Sequence, residues 1–300
     1  MATYYKHHRM PLRSWIFANI ARVNKWSTKL GPLANLGMSN LLTRWLLHHF
    51  LGIHKGRKLP SLAKEPFPAW FRKRRPLPID CIADLTAGLG NTPPAGNHAR
   101  ARGIGTKEDI STPETTLKGQ VVLFHDTFMD YNEPQVGQAT VELLETAGYQ
   151  VVLADKVCCG RPMISKGMLE TAKEHAQLNV ARLYPLAKAG IPIIGCEPSC
   201  LLTLRDEYPD LLRSTEARVV AQNSFLLDEF LVKLHDQGQL DLRFKETPEL
   251  VLFHGHCHQK ALVGTEASMA ALRLVPSLEV KEIDSGCCGM AGAFGYEKEH

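Results

Sequence analysis

From residue 119 onward, short continuous apolar runs alternate with longer segments in which apolar positions recur every three or four residues. The short runs predict strands, and the longer segments predict amphipathic helices. Strands are predicted at 120–124, 150–154 and 191–195, with helices at 135–147 and 167–189. Strands that are apolar throughout and alternate with helices indicate right-handed crossovers and a parallel sheet. The predicted fold class is therefore α/β.

This pattern occurs twice along the chain. The apolar run that ends at His125 has a counterpart that ends at His254, an offset of 129 in sequence number. The Cys-Cys-Gly motif at 158–160 returns at 287–289, which is the same offset. Two landmarks about thirty residues apart that keep a constant register indicate an internal repeat.

The chain is therefore predicted to contain two tandem βαβ-type repeats, at 119–248 and 249–300. In the second repeat, strands are predicted at 250–253 and 278–283 on either side of a helix at 260–274. We expect this repeat to be truncated, because the chain stops before any counterpart of the third strand of the first repeat.

A basic helical arm is predicted over residues 1–80, with helices at 12–25, 32–38 and 40–51. Prolines at 60, 66 and 68 predict an extended basic segment over 59–75. Residues 81–118 are rich in Gly, Pro, Thr and Asn without periodicity, and they predict a flexible linker.

Charge is distributed unevenly between the arm and the rest of the chain. Residues 1–80 hold fifteen Lys and Arg against two acids, Glu65 and Asp80, a local charge of +13, which leaves −9 on residues 81–300. Such an arm favours peripheral contact with an anionic membrane surface or an acidic partner. The alternatives are a solvated linker and packing of its Trp and Leu side chains on a neighbouring domain. Nucleic acid is not expected, because no stacking platform or known reader fold accompanies the basic run at 72–75.

The cysteine content favours a reducing environment. Eight cysteines are too few for a disulfide scaffold in a chain of this length, and seven of them lie in the repeat region. The sequence has no secretory signal and no run of eighteen apolar residues. We therefore expect a cytoplasmic protein, or one bound peripherally to the inner face of the membrane, whose thiols bind metal or carry out redox chemistry.

Every cysteine of the repeats follows a predicted strand. The carboxyl ends of parallel strands gather at one sheet edge, where such folds bind ligands. Soft thiolates select iron–sulfur clusters, zinc or copper(I). The predicted metal ligands are Cys158, Cys159, Cys196, Cys200, Cys257, Cys287 and Cys288. Cys81 stands alone before the linker and is expected to be inert.

These motifs resemble the cysteine-rich CCG domain of the heterodisulfide reductase B subunit and of the iron–sulfur subunits of glycolate oxidase and anaerobic glycerol-3-phosphate dehydrogenase. The sequence is most similar to the C-terminal part of fused FAD-linked oxidases of the D-lactate or D-2-hydroxyglutarate dehydrogenase type. The matching segments are 124–128, 158–162, 195–200, 255–258 and 284–292.

The resemblance implies an electron-transfer module. Such domains carry electrons from a reduced flavin through [4Fe-4S] clusters toward an acceptor at the membrane. It implies an FAD-containing dehydrogenase domain or subunit as partner, and no catalytic residue or hydroxy-acid site in this chain. The first repeat supplies four thiolates, enough for a [4Fe-4S] cluster. The second supplies three, with His256 or His258 as a candidate fourth ligand.

The chain also departs from the family pattern. Thr127 and Phe128 stand where related subunits place a cysteine before the pair. Neither a ferredoxin Cys-x2-Cys-x2-Cys motif nor an FAD-binding segment is present. These departures lead us to expect a fragment or a separately encoded remnant of a larger oxidoreductase.

Three alternatives to the iron–sulfur module stay open on the sequence. A zinc-binding structural or interaction module would use the same thiols. An inactive truncated remnant would bind no metal. A thiol–disulfide protein that uses a vicinal pair is the least favoured, because adjacent cysteines close a strained ring.

Overall fold

The computed structural model describes residues 1–5, 7–74, 117–286 and 288–299. The predicted linker at 81–118 lies almost entirely outside the described residues, as do Cys81 and Cys287.

The described part of the arm is helical, as its periodicity predicts. A short 3₁₀ turn, Thr28–Leu30, separates two of its helices. The helices are Ala2–Tyr5, Leu12–Ala18, Ile20–Ser27, Pro32–Ser39, Leu41–Leu51 and Phe67–Lys73.

Two predictions for the arm were wrong in detail. The single helix at 12–25 is interrupted at Asn19, whose side-chain amide donates to the carbonyl of Trp15 at 2.9 Å and so competes with helical hydrogen bonding. The predicted extended segment at 59–75 contains the helix Phe67–Lys73. Pro68 is compatible with this helix because it lies in the first turn, where no backbone N–H is needed.

The first repeat is built on a four-stranded, fully parallel sheet. Its strands are β1 (Gly119–Leu123), β2 (Tyr149–Leu153), β3 (Ile193–Gly195) and β4 (Ser224–Leu226), in the order β2-β1-β3-β4. The register pairs Val122 with Val152 on one side and with Ile193 on the other. The predicted α/β class and parallel strands are confirmed, whereas β4 was not foreseen because its three residues run directly into the helix Leu227–Asp236.

Helices cover both faces of this sheet, which separates two apolar clusters. Side chains alternate along β1, so Val122 and Phe124 enter one cluster while Val121 and Leu123 enter the other. The helices are Thr127–Tyr131, Pro134–Thr146, Arg161–Ser165, Leu169–Lys188, Pro198–Arg205, Glu207–Leu212, Thr215–Gln222 and Leu227–Asp236.

The second repeat forms a separate parallel pair, β5 (Leu250–Phe253) and β6 (Glu279–Glu282). The predicted helix at 260–274 is instead two helices, Cys257–Leu262 and Glu266–Leu272. The break falls at Gly264, whose φ of +75° lies in the left-handed region that terminates helices.

The arm packs on the first repeat and on the end of the chain. Phe67 is fully buried in the cluster that contains Leu123, and Asn24 donates to Asn132 at 2.9 Å. Arg13 pairs with Glu297 at 3.0 Å. Within the described residues, every helix falls short of the length and apolar content that a bilayer crossing requires.

Candidate metal centre

The first Cys-Cys-Gly loop follows β2 and is held by side chains from two helices. Asn179 accepts a hydrogen bond from the Val157 backbone N–H at 2.9 Å, and its amide donates to Tyr208 Oη at 2.8 Å. Tyr208 in turn donates to the Cys159 carbonyl at 2.9 Å. Because Asn179 and Tyr208 are both fully buried, they fix the backbone that carries the thiols.

Gly160 ends this loop with a φ of +89°, a conformation that side-chain-bearing residues rarely adopt. The chain therefore turns directly from the cysteine pair into the helix Arg161–Ser165.

Three of the predicted ligands come together at this loop. Cys159 is 2% exposed, and its thiol lies close enough to the thiols of Cys158 and Cys200 to shift the pKa of both. Cys200 reaches the pair from the first turn of the helix Pro198–Arg205, whose start is fixed by a hydrogen bond from the Cys200 N–H to Glu197 at 2.6 Å. In the described part of the chain no three sulfurs lie within 4.8 Å of one another, so these thiols form a row rather than a closed cage.

The fourth predicted ligand of the first repeat lies in different surroundings. Cys196 packs against the apolar cluster that contains Phe67, and its sulfur lies 3.1 Å from Thr140 Oγ1. The thiols of the row pack against the other cluster. Cys196 and Cys200 are thus separated although they are close in sequence.

Burial keeps these thiols protonated when no cation is bound. For Cys196, burial raises the pKa to about 12 although the Thr140 hydroxyl opposes the shift. For Cys200, the hydrogen bond with Cys159 favours the thiolate, but burial together with nearby carboxylates still raises its pKa to about 12. A bound metal ion supplies the positive charge that replaces such protons.

Acidic residues at the end of β1 complete this edge of the sheet. Asp126 caps the helix Thr127–Tyr131 by accepting from two backbone N–H groups of its first turn, at 2.7 and 3.0 Å. Its burial raises its pKa to about 6. Nearby, His125 Nδ1 and Lys156 Nζ approach Asp130 at 2.6 and 3.2 Å.

The described cysteines of the second repeat are exposed. Cys257 opens the helix Cys257–Leu262, and Cys288 follows β6. The neighbouring His256 contacts the first repeat through Ser199 Oγ, 3.2 Å from its Nε2. Ser199 and Cys200 are adjacent, so this contact brings the second repeat against the thiol row of the first.

The donor set fits a soft, thiophilic group. Three partly or fully buried thiols sit on an anchored loop whose glycine lets the backbone approach closely. Cys158, Cys159 and Cys200 would hold such a group, since thiolates favour iron–sulfur clusters or zinc. Asn179 and Tyr208, which support the loop, gave no sequence signal because polar residues within an amphipathic helix are common.

The geometry defines a cysteine-rich α/β protein with clustered buried thiols, and comparison with known proteins agrees. The cysteine-rich (CCG) domain model matches residues 122–205. The chain is 32% identical over 190 residues to lactate utilization protein A of Exiguobacterium sp. (strain ATCC BAA-1283 / AT1b), covering 59% of this chain and 74% of the relative. The chain therefore belongs to the same family as this relative, and it contains a cysteine-rich (CCG) domain.

Two further relatives are similar over different lengths. The chain is 28% identical over 298 residues to the anaerobic glycerol-3-phosphate dehydrogenase C subunit of Escherichia coli (strain K12), covering 99% of this chain. It is 31% identical over 198 residues to D-2-hydroxyglutarate dehydrogenase of the same strain, covering 65% of this chain. The chain spans 66% and 19% of the length of these two relatives. No solved structure matches.

The similarity confirms the family recognised from the sequence motifs. Two of the three relatives are dehydrogenases or dehydrogenase subunits by name, which supports the oxidoreductase, iron–sulfur and electron-transfer class.

Proposed function

We propose that this chain is the iron–sulfur electron-transfer module of an FAD-linked 2-hydroxy-acid oxidoreductase. The observation that carries the proposal is the row of Cys158, Cys159 and Cys200 on a loop anchored by buried side chains within the CCG domain. A site fixed in advance by buried hydrogen bonds keeps its geometry during a change of redox state, which lowers the cost of electron transfer.

The cofactor we propose is a [4Fe-4S] cluster, which supplies one-electron redox chemistry when bound. Its ligands in the first repeat are Cys158, Cys159 and Cys200, with Cys196 as the further candidate. The candidates in the second repeat are Cys257, Cys287 and Cys288. The hydroxyl of Tyr208 and the amide of Asn179 orient the loop through its carbonyl and N–H groups.

The partner we propose is an FAD-containing dehydrogenase domain or subunit, which takes electrons from the hydroxy acid. The chain itself then binds no hydroxy acid and passes the electrons to an acceptor at the membrane. The cytoplasm is the compartment that this proposal requires, because free thiols persist there.

Metal analysis tests the cofactor directly. Protein purified without oxygen is analysed for iron, sulfide and zinc, with visible and EPR spectra. We expect about four irons per chain with matching sulfide. Replacement of Cys158 by Ser should remove the colour, whereas Cys81→Ser, the control outside the repeats, should retain it. Zinc without iron would establish a structural zinc module instead, and a metal-free protein would establish an inactive remnant.

The basic arm is the part of the chain that we propose contacts the membrane. No acidic residue precedes Glu65, while residues 1–64 hold eleven Lys and Arg. Large apolar side chains of these helices face solvent, with Trp26 67% and Phe50 77% exposed. Exposed aromatic and aliphatic side chains among basic ones are typical of surfaces that lie on anionic lipid.

Vesicle binding tests this contact. The chain should co-sediment with vesicles that contain phosphatidylglycerol and not with vesicles of phosphatidylcholine alone. Changing Trp26 and Phe50 to Ser should weaken the binding, whereas Leu252→Ser, a similarly exposed position outside the arm, should leave it unchanged. Undiminished binding by the arm variant would exclude the arm as the contact.

A further inference from the structure

A second group of potential metal ligands lies apart from the thiol row, where the two repeats meet. Asp206, Glu207 and His258 each bring one ligand atom to within 4.8 Å of the other two. The two acids stand at the start of the helix Glu207–Leu212 of the first repeat. The imidazole comes from the helix Cys257–Leu262 of the second repeat, so the group spans the junction.

Two buried polar atoms of this group have no hydrogen-bond partner among the described residues. Glu207 pairs with Arg161 through Oε1, whereas its Oε2 is inaccessible to solvent and unpartnered. His258 Nδ1 is likewise inaccessible and unpartnered. The side chains of Glu207 and His258 are only 17% and 11% exposed. Buried polar atoms are nearly always paired with protein, water or an ion, so two orphans in one small group indicate a missing partner.

Charge favours a cation as this partner. Among the ion pairs of the described residues, the carboxylates of Asp206 and Glu207 have one guanidinium, that of Arg161, which leaves one negative charge uncompensated. A hydrogen bond between His258 and Glu207 does not fill the gap, because His258 Nε2 lies 3.9 Å from Glu207 Oε1.

We propose that Asp206, Glu207 and His258 hold a divalent transition-metal ion of the zinc class, distinct from the thiol-bound group. One imidazole and two carboxylates are ligands that zinc and its neighbours accept, and Asp206 is exposed, which leaves open positions for water. The ion ties the second repeat to the first through side chains that are distant in sequence.

The site also touches the thiol loop. Arg161, which holds Glu207 Oε1, directly follows Gly160 of the Cys-Cys-Gly motif. Tyr208, adjacent to Glu207, donates to the Cys159 carbonyl. An ion at Glu207 therefore braces the helix start that supports the cysteine loop.

Cobalt(II) is the probe, because its absorption reports the donor atoms. Co²⁺ bound by nitrogen and oxygen gives weak visible bands, whereas Co²⁺ bound by thiolate adds an intense sulfur-to-cobalt band in the near ultraviolet. The full chain is titrated with Co²⁺ without oxygen, and the two signals are followed separately. We expect one Co²⁺ whose visible bands appear without the sulfur band.

Three variants assign the ligands. Glu207→Gln and His258→Gln should each weaken the sulfur-free signal at least about tenfold in affinity, the scale on which metal sites lose binding when a supporting group is removed. Asp206→Asn should weaken it as well. The Asp206 side chain makes no capping hydrogen bond, so Asp206→Asn should leave the fold intact. This variant therefore still tests the site if the changes at the more buried Glu207 and His258 disturb folding.

Matched controls are Asp210→Asn, an exposed acid on the same helix, and His235→Gln, an exposed imidazole of the first repeat. Both should bind Co²⁺ as the wild type does. The site is overturned if Co²⁺ gives only the sulfur band, if no Co²⁺ binds, or if Asp206→Asn and Glu207→Gln bind normally. Iron and sulfide content is measured in parallel, so loss of this site and loss of the proposed cluster remain distinguishable.

Discussion

The two repeats carry the same Cys-Cys-Gly motif in very different surroundings. In the first, a four-stranded sheet with helices on both faces buries Cys159 and joins it to Cys200. In the second, the described residues form two strands and two short helices, and Cys257 and Cys288 are exposed. The motif supplies the thiols, but the strands and helices packed around it determine whether they form a site.

The supporting residues differ in the same way. The first loop is anchored by Asn179 and Tyr208, both fully buried. Asp126, which caps a helix beside the thiols, has Gly255 as its counterpart at the repeat offset. A Cβ at Gly255 would lie 2.5 Å from Thr265 Cγ2, so a carboxylate there would require the Thr265 side chain to move. We therefore expect the two repeats to respond differently to equivalent substitutions.

The largest difference should appear in metal content. Cys159→Ser removes the sulfur that joins Cys158 to Cys200, so the first repeat should lose all its iron or zinc. Cys288→Ser removes an exposed thiol and should leave the metal of the first repeat in place. Metal analysis and EPR of both variants measure this, and equal losses would mean that the repeats share one centre.

The free energy of unfolding should fall by different amounts when two leucines at equivalent positions of the repeats are replaced by alanine. Leu123 in β1 is fully buried, and Leu123→Ala should cost about 2–5 kcal/mol of unfolding free energy because it leaves a cavity. Leu252, its counterpart in β5, is 62% exposed, so Leu252→Ala should change stability by less than about 0.5 kcal/mol. Urea unfolding of the metal-free variants gives both values, and similar costs would contradict the exposure of β5.

A smaller change in stability should occur with pH, because the carboxyl group of Asp126 titrates. Its pKa rises from 3.8 to about 6 on folding, so the folded state binds the proton more tightly than the unfolded state. Stability should therefore fall as pH rises from about 4 to about 6, by roughly 3 kcal/mol at most, since each pKa unit corresponds to about 1.36 kcal/mol.

Asp126→Asn removes this titration and keeps an amide that can still cap the helix. The wild type should lose stability relative to this variant as pH rises through the window, as measured by urea unfolding of metal-free protein between about pH 4 and pH 7. Parallel pH curves for the two proteins would show that Asp126 is not responsible.

The sequence alone determined the α/β class and the family, and it predicts the internal repeat. A continuous apolar strand such as β1 is recognisable because both faces of a central parallel strand are buried. The constant offset between the two sets of motifs made the repeat visible. Periodicity alone predicted single helices at 12–25 and 260–274, and the structure divides both. Gly264 ends one helix with a left-handed backbone, and Asn19 interrupts the other with a local side-chain hydrogen bond.

Only the tertiary structure decided which thiols meet. The sequence grouped Cys196 with Cys200, but one follows a strand end and the other begins a helix, so they pack against opposite apolar clusters. It likewise gave no sign that Asp206 and Glu207 approach His258. Spacing along a chain fixes which side chains share a helix or strand face, whereas contacts between distant segments depend on how whole elements pack, which no local pattern encodes.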